Sequence, residues 1–176
     1  MLETLGILLL LLIALAIMLP YLRSGTKYGA PFVPMDRDVV ARVMKHGEIG
    51  KGKKFYDLGS GDGRLVIAAA LRGANATGIE IDKIRVFYSN LWIKALRLSN
   101  QANIIRGNLF DQDYSDADVV NLYLLEETND KLKPKLEKEL KPGAIVVATA
   151  FKVNEWKPVK VDPRGTAYGP IYVYRR

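Results

Sequence analysis

The sequence predicts an α/β protein in which helices cover a mostly parallel sheet, preceded by one hydrophobic helix. Apolar segments of strand length alternate along the chain with segments of helical length, which is the pattern of a parallel sheet joined by crossover helices. Ahead of them, residues 4–22 contain no charged side chain. A helix of about 20 apolar residues is long enough to span a bilayer.

The hydrophobic N-terminal segment is predicted to be a membrane anchor. We expect residues 1–23 to form a transmembrane helix, residues 24–34 a linker rich in Gly and Pro, and residues 35–176 the folded domain. A buried helix remains possible, as does a cleaved signal peptide, since residues 14–16 read Ala-Leu-Ala. Because basic residues follow the apolar run from Arg23 onward, the positive-inside rule predicts a single-pass protein whose folded domain faces the cytoplasm.

The remaining elements follow from residue type and periodicity. Asp36 can cap a helix with apolar positions at helical spacing, which Gly47 ends. After it, strand and helix alternate, and the largely apolar segment at 118–125 is typical of a strand covered on both faces. The predicted strands are 53–58, 76–81, 103–106, 118–125 and 144–151, with shorter segments near Val159 and Ile171, and the predicted helices are 64–71, 83–98 and about 130–140.

Composition narrows the possible chemistry. The chain has no cysteine and a single histidine, His46, which excludes disulfides, thiolate metal sites and a metal site built from several histidines. We expect no metal site, and we expect His46 to lie on the surface. A net charge of +7 suits an acidic partner, whether a nucleic acid, an anionic membrane face or an acidic protein.

The sharpest local signal is a glycine-rich turn, Asp-Leu-Gly-Ser-Gly-Asp-Gly at 57–63, between the first strand of the sheet and a helix. Glycines there let the backbone turn tightly and approach a ligand closely. A dinucleotide fingerprint would need Gly three residues after Gly61, where Arg64 stands, and the Gly-Lys-Ser/Thr of a P-loop is absent. The spacing instead resembles the first motif of class I methyltransferases, whose turn holds the methionine part of S-adenosyl-L-methionine.

Two further signals stand at the ends of the next two strands. Glu80 ends the second strand, where a carboxylate can accept hydrogen bonds from both hydroxyls of a ribose. Residues 107–110, Gly-Asn-Leu-Phe, follow the third strand, where class I methyltransferases place an amide or acid against the adenine and an apolar residue over its face. All three signals therefore fall in order along the ligand-binding edge of an open α/β sheet.

Several segments extend the resemblance to one group of these enzymes: Ala-Pro-Phe-Val-Pro at 30–34, the turn at 56–64, residues 132–143, and Trp-Lys-Pro at 156–158. They resemble the small protein-lysine methyltransferases that include an archaeal broad-specificity enzyme and the mitochondrial enzyme acting on the ATP synthase c subunit. The resemblance runs from about Tyr28 to the C-terminus. Family members usually follow Val-Pro with threonine, where this chain has methionine.

The resemblance implies a Rossmann-like, doubly wound, seven-stranded sheet whose last strand is antiparallel, with S-adenosyl-L-methionine as the cofactor. It also implies a protein substrate bearing an acceptor lysine, which the predicted anchor would place at or in the membrane. The residues expected to bind the cofactor are Asp57, Gly59, Ser60, Gly61, Gly63, Glu80, Ile81, Asn108 and Leu109.

The acceptor is expected to enter beside the end of the fourth strand. Asn121, Tyr123 and Glu127 are the candidate catalytic residues, in a channel that Glu126 and Asn129 also line. A desolvated channel would lower the pKa of the acceptor lysine, and a nearby carboxylate or amide could orient its amine. The alternative for the two glutamates is that acidic residues favour the N-terminus of a helix.

The sequence leaves several other functions open. An RNA methyltransferase would suit the basic charge, but base-amine methyltransferases typically carry Asn/Asp-Pro-Pro-aromatic after the fourth strand. Residues 121–124 here read Asn-Leu-Tyr-Leu, so we do not expect a nucleic acid partner. A small-molecule or lipid methyltransferase is also compatible with the sequence, as is a cofactor-binding membrane module without turnover. Trp156 either lines the acceptor channel or packs at the rim of the core.

Overall fold

The structure, a computed structural model, describes residues 4–8, 11–12, 15 and 31–176. The chain divides into two compact units, Met1–Val33 and Pro34–Arg176. In the first unit, the described residues up to residue 15 are helical. The linker predicted over 24–34 lies outside the described residues up to residue 30.

The predicted transmembrane helix requires a correction. Within the part of the chain that the structure describes, no helix is long and apolar enough to cross a membrane. A span needs about 20 consecutive apolar helical residues, and the described residues of this segment, 4–8, 11–12 and 15, contain no run of that length. The prediction of a membrane-spanning anchor over 1–23 is therefore wrong for the described residues, and so is the single-pass location with a cytoplasm-facing domain that depended on it. The other residues of that segment lie outside the described residues.

The second unit contains a seven-stranded sheet with helices on both faces. Its elements are, in chain order, α1 (Arg37–His46), β1 (Lys54–Leu58), α2 (Arg64–Ala70), β2 (Asn75–Glu80), α3 (Lys83–Ala95), β3 (Ala102–Arg106), β4 (Val119–Leu122), α4 (Glu126–Glu139), β5 (Ile145–Thr149), β6 (Lys160–Thr166) and β7 (Gly169–Arg175). The strands lie in the order β3-β2-β1-β4-β5-β7-β6. Neighbouring strands from β3 to β5 pair in parallel, whereas β7 is antiparallel to both β5 and β6. This topology confirms the predicted doubly wound, mostly parallel sheet with an antiparallel last strand.

Side chains of the central strands alternate between two hydrophobic cores. Every residue of β4 and β5 is buried, as expected for parallel strands covered on both faces. Phe55 of β1 and Ile145 of β5 face the core that α1 and α2 cover, whereas Leu58 and Val146 face the core that α4 covers. This alternation fixes which polar side chains near the strand ends share a face.

The order of the strands places a topological switch point beside β1. From β1 the chain moves outward to β2 and β3, and then returns to β4 on the other side of β1. In open α/β sheets, ligands bind outside the carboxyl ends of the strands at such a switch point. The loops after β1, β2, β3 and β4, which carry most of the residues that the sequence singled out, follow this edge of the sheet.

Several element boundaries differ from the prediction, most clearly those around the end of β4. Strand β4 stops at Leu122, and α4 already begins at Glu126, since Leu125 is extended and precedes the first helical residue. The two short C-terminal segments are the paired strands β6 and β7, each seven residues long.

Candidate functional site

The glycine-rich turn after β1 has a backbone that glycine adopts readily. Gly59, Gly61 and Gly63 have φ angles of +78°, +56° and +77°, in the left-handed region that other residues avoid. The backbone amides of Gly59 and Ser60 both donate to the carbonyl of Ile79 at 2.9 Å. The turn is thus fastened to the adjacent strand β2, close to the end of that strand.

The turn also lies so close to its neighbours at two of these positions that a Cβ there would require a neighbouring side chain to shift. A Cβ at Gly59 would lie 2.9 Å from Cδ2 of Leu124, and one at Gly63 would lie 3.0 Å from Cβ of Ser89. The hydroxyl of Ser89 also donates to the carbonyl of Gly61 at 3.2 Å. The turn therefore packs directly between α3 and the segment after β4.

Glu80 links the end of β2 to the glycine turn. Its carboxylate is 5% exposed and accepts from the backbone amides of Gly61 and Asp82, at 2.9 and 2.8 Å. Arg85 on α3 adds a longer contact of 3.3 Å to the same carboxylate. Ile81, the next residue, is 39% exposed. Glu80, the predicted acidic residue, thus lies directly beside the predicted glycine turn, and the hydrogen bond from the backbone amide of Gly61 to its carboxylate joins the two.

The loop after β3 joins the same edge. The backbone amide of Gly107 donates to the carbonyl of Glu80 at 3.0 Å. Asn108 is exposed and its side-chain oxygen accepts from the amide of Phe110 at 3.2 Å, while Leu109 is half-buried. The structure therefore brings the predicted residues that follow β1, β2 and β3 together along one sheet edge.

A buried polar pair lies on the central strands β1 and β4. Asp57 and Asn121 are neighbours in the parallel register and are 2% and 0% exposed. Nδ2 of Asn121 donates to Oδ1 of Asp57 at 2.8 Å. Burial raises the pKa of the Asp57 carboxyl to about 7; the Asn121 hydrogen bond opposes this, and the charges of Asp62 and Glu80 add to it. A positively charged group beside Asp57 would favour its ionised form.

Three buried polar atoms near the carboxyl ends of the strands have no hydrogen-bond partner among the described residues. They are Oγ of Ser60 after β1, Oδ1 of Asn121 on β4 and Oγ1 of Thr149 at the end of β5. Burying a polar atom without a partner costs about 1–3 kcal/mol. Such atoms, gathered at a ligand-binding edge, are suited to hydrogen-bond a ligand. The prediction missed Thr149, although a hydroxyl closing an otherwise apolar strand was the available signal.

Tyr123 follows β4 and packs on the same side of the sheet as Asn121. It is half-buried against the core that α1 and α2 cover. Burial raises the pKa of its phenol, and a hydrogen bond with the side chain of Thr166 opposes that change. Two of the three candidate catalytic residues therefore share one face at the carboxyl edge.

The acidic residues at the start of α4 have partners of their own. Glu127 is 79% exposed in its side chain and pairs with Lys131 one turn later, at 2.7 Å, which lowers the pKa of the Glu127 carboxyl. Oε1 of Glu126 accepts from Nδ2 of Asn154 at 2.8 Å. Asn129 is buried and donates to the carbonyl of Phe151 at 3.1 Å. The location of Glu127 matches the second of the two interpretations offered for the glutamates, that of a solvent-exposed acidic residue at the N-terminus of a helix.

Trp156 and Met35, two apolar residues named in the sequence analysis, have packing roles. Trp156 donates from Nε1 to Glu137 at 2.7 Å and packs edge-on against Tyr174 at 5.4 Å between ring centroids. It thus lies at the rim of the core that α4 covers. Met35, which replaces the usual threonine, is buried in the opposite core, and its carbonyl accepts a hydrogen bond from Arg64.

His46 requires a correction, because its side chain is not on the surface. It is 6% exposed, and Nε2 lies 2.8 Å from Oδ2 of Asp162, whose side chain is 5% exposed. The pair joins the last turn of α1 to β6. The hydrogen bond from His46 is the largest cause that holds the pKa of Asp162 well below its usual range.

Comparison with known proteins identifies relatives across most of the chain. Residues 57–160 match the model of the ANTKMT methyltransferase domain. The chain is 39% identical over 149 residues to a protein-lysine N-methyltransferase of Saccharolobus islandicus, which covers 82% of this chain and 92% of the relative. It is 32% identical over 139 residues to the Homo sapiens lysine N-methyltransferase named for the c subunit of ATP synthase, covering 79% of this chain. The match spans 59% of the length of that human protein.

A solved structure is similar over nearly the same length. The RNA methyltransferase from Salinibacter ruber, in complex with S-adenosyl-L-homocysteine, superposes with a TM-score of 0.76 and 36% sequence identity. The superposition covers 81% of this chain and 93% of that one.

Proposed function

This chain belongs to the family of the ANTKMT methyltransferase domain and is an S-adenosyl-L-methionine-dependent methyltransferase; from that premise we propose that it methylates lysine side chains of a protein. The observation that carries the methyl-transfer part of the proposal is the joined arrangement of the glycine turn, Glu80 and the Asp57–Asn121 pair at the carboxyl edge of the sheet. The names of the relatives from Saccharolobus islandicus and Homo sapiens support lysine as the acceptor.

The residues at this edge fit the cofactor. The Glu80 carboxylate receives three donors within the protein, and a carboxylate has about four acceptor sites, so it can still accept from a ribose hydroxyl. Oγ of Ser60 is buried at the same turn, with no partner among the described residues. Burial raises the pKa of the Asp57 carboxyl to about 7. This carboxyl suits a cofactor that carries positive charge, because a neighbouring positive charge favours the ionised form.

We assign the cofactor-binding roles accordingly. The backbone of the turn from Gly59 to Gly63, together with Asp57, would hold the methionine part. Glu80 would accept a hydrogen bond from a ribose hydroxyl, and Asn108 and Leu109 after β3 would flank the adenine. When bound, S-adenosyl-L-methionine supplies a methyl group on a positively charged sulfur, which an amine displaces in line.

The acceptor side of the site would be formed by Asn121 and Tyr123. At an ordinary pKa near 10.4, only about one lysine in a thousand is neutral at pH 7. Desolvation beside an uncharged amide and phenol lowers the pKa of the amine and so raises the neutral fraction. The amine would lose its proton to solvent before transfer. Its lone pair would then form the new N–C bond while the S–C electron pair stays on sulfur, so that a neutral thioether leaves and the positive charge moves to the methylated nitrogen.

A second candidate is RNA methylation. The relative from Salinibacter ruber is named an RNA methyltransferase, and the net charge of +7 would suit an RNA backbone. Against it, the segment after β4 reads Asn-Leu-Tyr-Leu at 121–124 and has none of the prolines of the base-amine motif.

Label transfer into a bacterial extract separates these candidates. The protein is incubated with S-adenosyl-L-methionine labelled in the methyl group, and the product is treated with protease or with ribonuclease. Label that protease releases supports a protein acceptor, whereas label that ribonuclease releases supports RNA, and label soluble in organic solvent points to a lipid.

A matched pair of variants shows whether the label comes from this site. Glu80→Gln should lower incorporation about 10-fold to 100-fold, because it removes a charged acceptor. Glu155→Gln, at a side chain 82% exposed and paired with Lys133, should leave it unchanged. Equal incorporation by both variants would contradict the assigned role of Glu80.

A further inference from the structure

Thr149 is a buried hydroxyl residue for which the described part of the fold provides no partner. It is the last residue of β5 and is 0% exposed. Its Oγ1 has no hydrogen-bond partner among the described residues. Most buried hydroxyls in proteins are hydrogen-bonded, so an exception at a binding edge is informative.

The sheet register places Thr149 close to the candidate catalytic residue Asn121. Asn121 on β4 is the register partner of Val147 on β5, and Val147 lies two residues before Thr149 on the same strand. Because side chains alternate along a strand, Asn121, Val147 and Thr149 lie on the same face. Strand spacing then puts the Cα atoms of Asn121 and Thr149 roughly 8 Å apart.

The amide of Asn121 is oriented so that its oxygen is available. Its Nδ2 donates to Asp57, and Oδ1 is buried with no partner in the described part of the chain. Two uncharged acceptor oxygens, on Asn121 and Thr149, thus share one face at the carboxyl edge of the sheet.

The backbone directly after Thr149 is strained. Ala150 has a φ of +71°, a left-handed conformation that residues with a Cβ avoid. Its amide donates to the carbonyl of Pro170 at 2.8 Å, and a Cβ at Gly169 would lie 2.4 Å from its carbonyl oxygen. The start of β7 therefore holds the end of β5 in this unusual geometry, and such strain concentrates at functional sites.

We propose that Thr149 binds the acceptor amine together with Asn121. A neutral primary amine has two N–H groups and one lone pair. If Oγ1 of Thr149 accepts one N–H and Oδ1 of Asn121 accepts the other, the lone pair is left to attack the methyl group. Since neither oxygen is charged, the pair favours the neutral amine over the ammonium form more than a carboxylate would.

The same geometry predicts an order among successive methyl transfers. After the first transfer, the neutral amine has a single N–H, so only one of the two oxygens can still accept from it. Because Asn121 alone can accept that single N–H, loss of the Thr149 hydroxyl should slow the first transfer more than the second. This inference rests on the proposed lysine-methyltransferase function.

Two substitutions at Thr149 test the proposal. Thr149→Val has nearly the same shape and removes a buried polar atom that lacks a partner among the described residues, so the folded state should not lose stability. Thr149→Ser retains the hydroxyl. Each protein is compared with the wild type by melting temperature, dissociation constant for S-adenosyl-L-methionine, rate of methyl-lysine formation in a bacterial protein extract, and the ratio of second to first transfer.

For Thr149→Val we expect an unchanged or higher melting temperature and a cofactor dissociation constant within about twofold of the wild type. Its rate of methyl-lysine formation should fall about five- to tenfold, as expected for one lost hydrogen bond. The ratio of second to first transfer should rise. Thr149→Ser should restore the rate to within about twofold of the wild type.

Three results would overturn the proposal. A Thr149→Val enzyme with wild-type rate and product ratio would show that the hydroxyl does not bind the amine. A rate loss that parallels weaker cofactor binding would assign the hydroxyl to the cofactor. A rate loss that Thr149→Ser shares, with a lower melting temperature in both, would assign it to folding. Failure of the proposed function looks different, because the wild type itself would then form no methyl-lysine.

Discussion

Replacing Asp57 with asparagine should make the cofactor-free protein more stable at pH 8 than the wild type. Asp57 is 2% exposed and accepts a hydrogen bond from Nδ2 of Asn121. An asparagine carbonyl can accept the same bond, so the substitution removes the charge and keeps the contact. The change therefore isolates the cost of burying one carboxylate.

The magnitude follows from the pKa of the carboxyl. Burial raises the pKa of Asp57 from 3.8 to about 7, and each pH unit of that gap corresponds to about 1.4 kcal/mol. Ionised Asp57 therefore lowers the free energy of unfolding by on the order of 4 kcal/mol. Below about pH 4 the carboxyl is protonated in both the folded and the unfolded state, so it does not change the free energy of unfolding. As the pH rises from about 4 to about 7 the carboxyl ionises only in the unfolded state, and the free energy of unfolding falls. Above about pH 7 this decrease is complete.

The assay is urea unfolding at pH values from 5 to 8 without cofactor. The difference in the free energy of unfolding between Asp57→Asn and the wild type should grow with pH and level off above about pH 7. Asp116→Asn is the control, since the hydrogen bond from Lys54 lowers the pKa of that exposed carboxyl. A less stable Asp57→Asn protein at pH 8, or a difference that does not vary with pH, would refute the reasoning.

Three further predictions concern separate parts of the molecule. Gly63→Ala places a Cβ on a residue with φ of +77°, so urea unfolding should show a loss of about 1–2 kcal/mol; no loss would contradict the strain. Glu127→Gln should leave methyl transfer unchanged, because Glu127 is exposed and paired with Lys131; a tenfold fall in turnover would instead place it in catalysis. His46→Ala removes a buried hydrogen bond to Asp162 and should cost about 1–3 kcal/mol in chemical denaturation, so an unchanged midpoint would be inconsistent with the buried pair.

The sequence predicted the parts of the site that depend on local chemistry. The spacing of Gly59, Gly61 and Gly63 specifies left-handed backbone, and the turn has that backbone. Glu80 was predicted at a strand end because strand periodicity and an acidic residue coincide there, and the parallel register then brings it beside the turn. Alternating strands and helices were enough to predict the mostly parallel sheet.

The features that the sequence did not predict depend on contacts between distant residues. His46 and Asp162 are 116 positions apart, and a lone histidine near a helix end carries no local sign of burial. The hydroxyl in an otherwise apolar strand was the one local signal at Thr149, since its lack of a partner among the described residues is visible only once the sheet is assembled. The membrane span is a different case: the apolar composition of the first 23 residues favoured it, and the described residues contain no helix long and apolar enough to form it.

The most direct test of the central claim is amino-acid analysis of the labelled protein. Extract protein labelled by the wild type with methyl-labelled S-adenosyl-L-methionine is hydrolysed, and the labelled amino acids are separated by chromatography. We predict that the label elutes with N-methylated lysine and is strongly reduced when Glu80→Gln replaces the wild type. Label that elutes with methylated arginine or histidine, or that is confined to RNA, would contradict lysine methylation while leaving the fold and the cofactor in place.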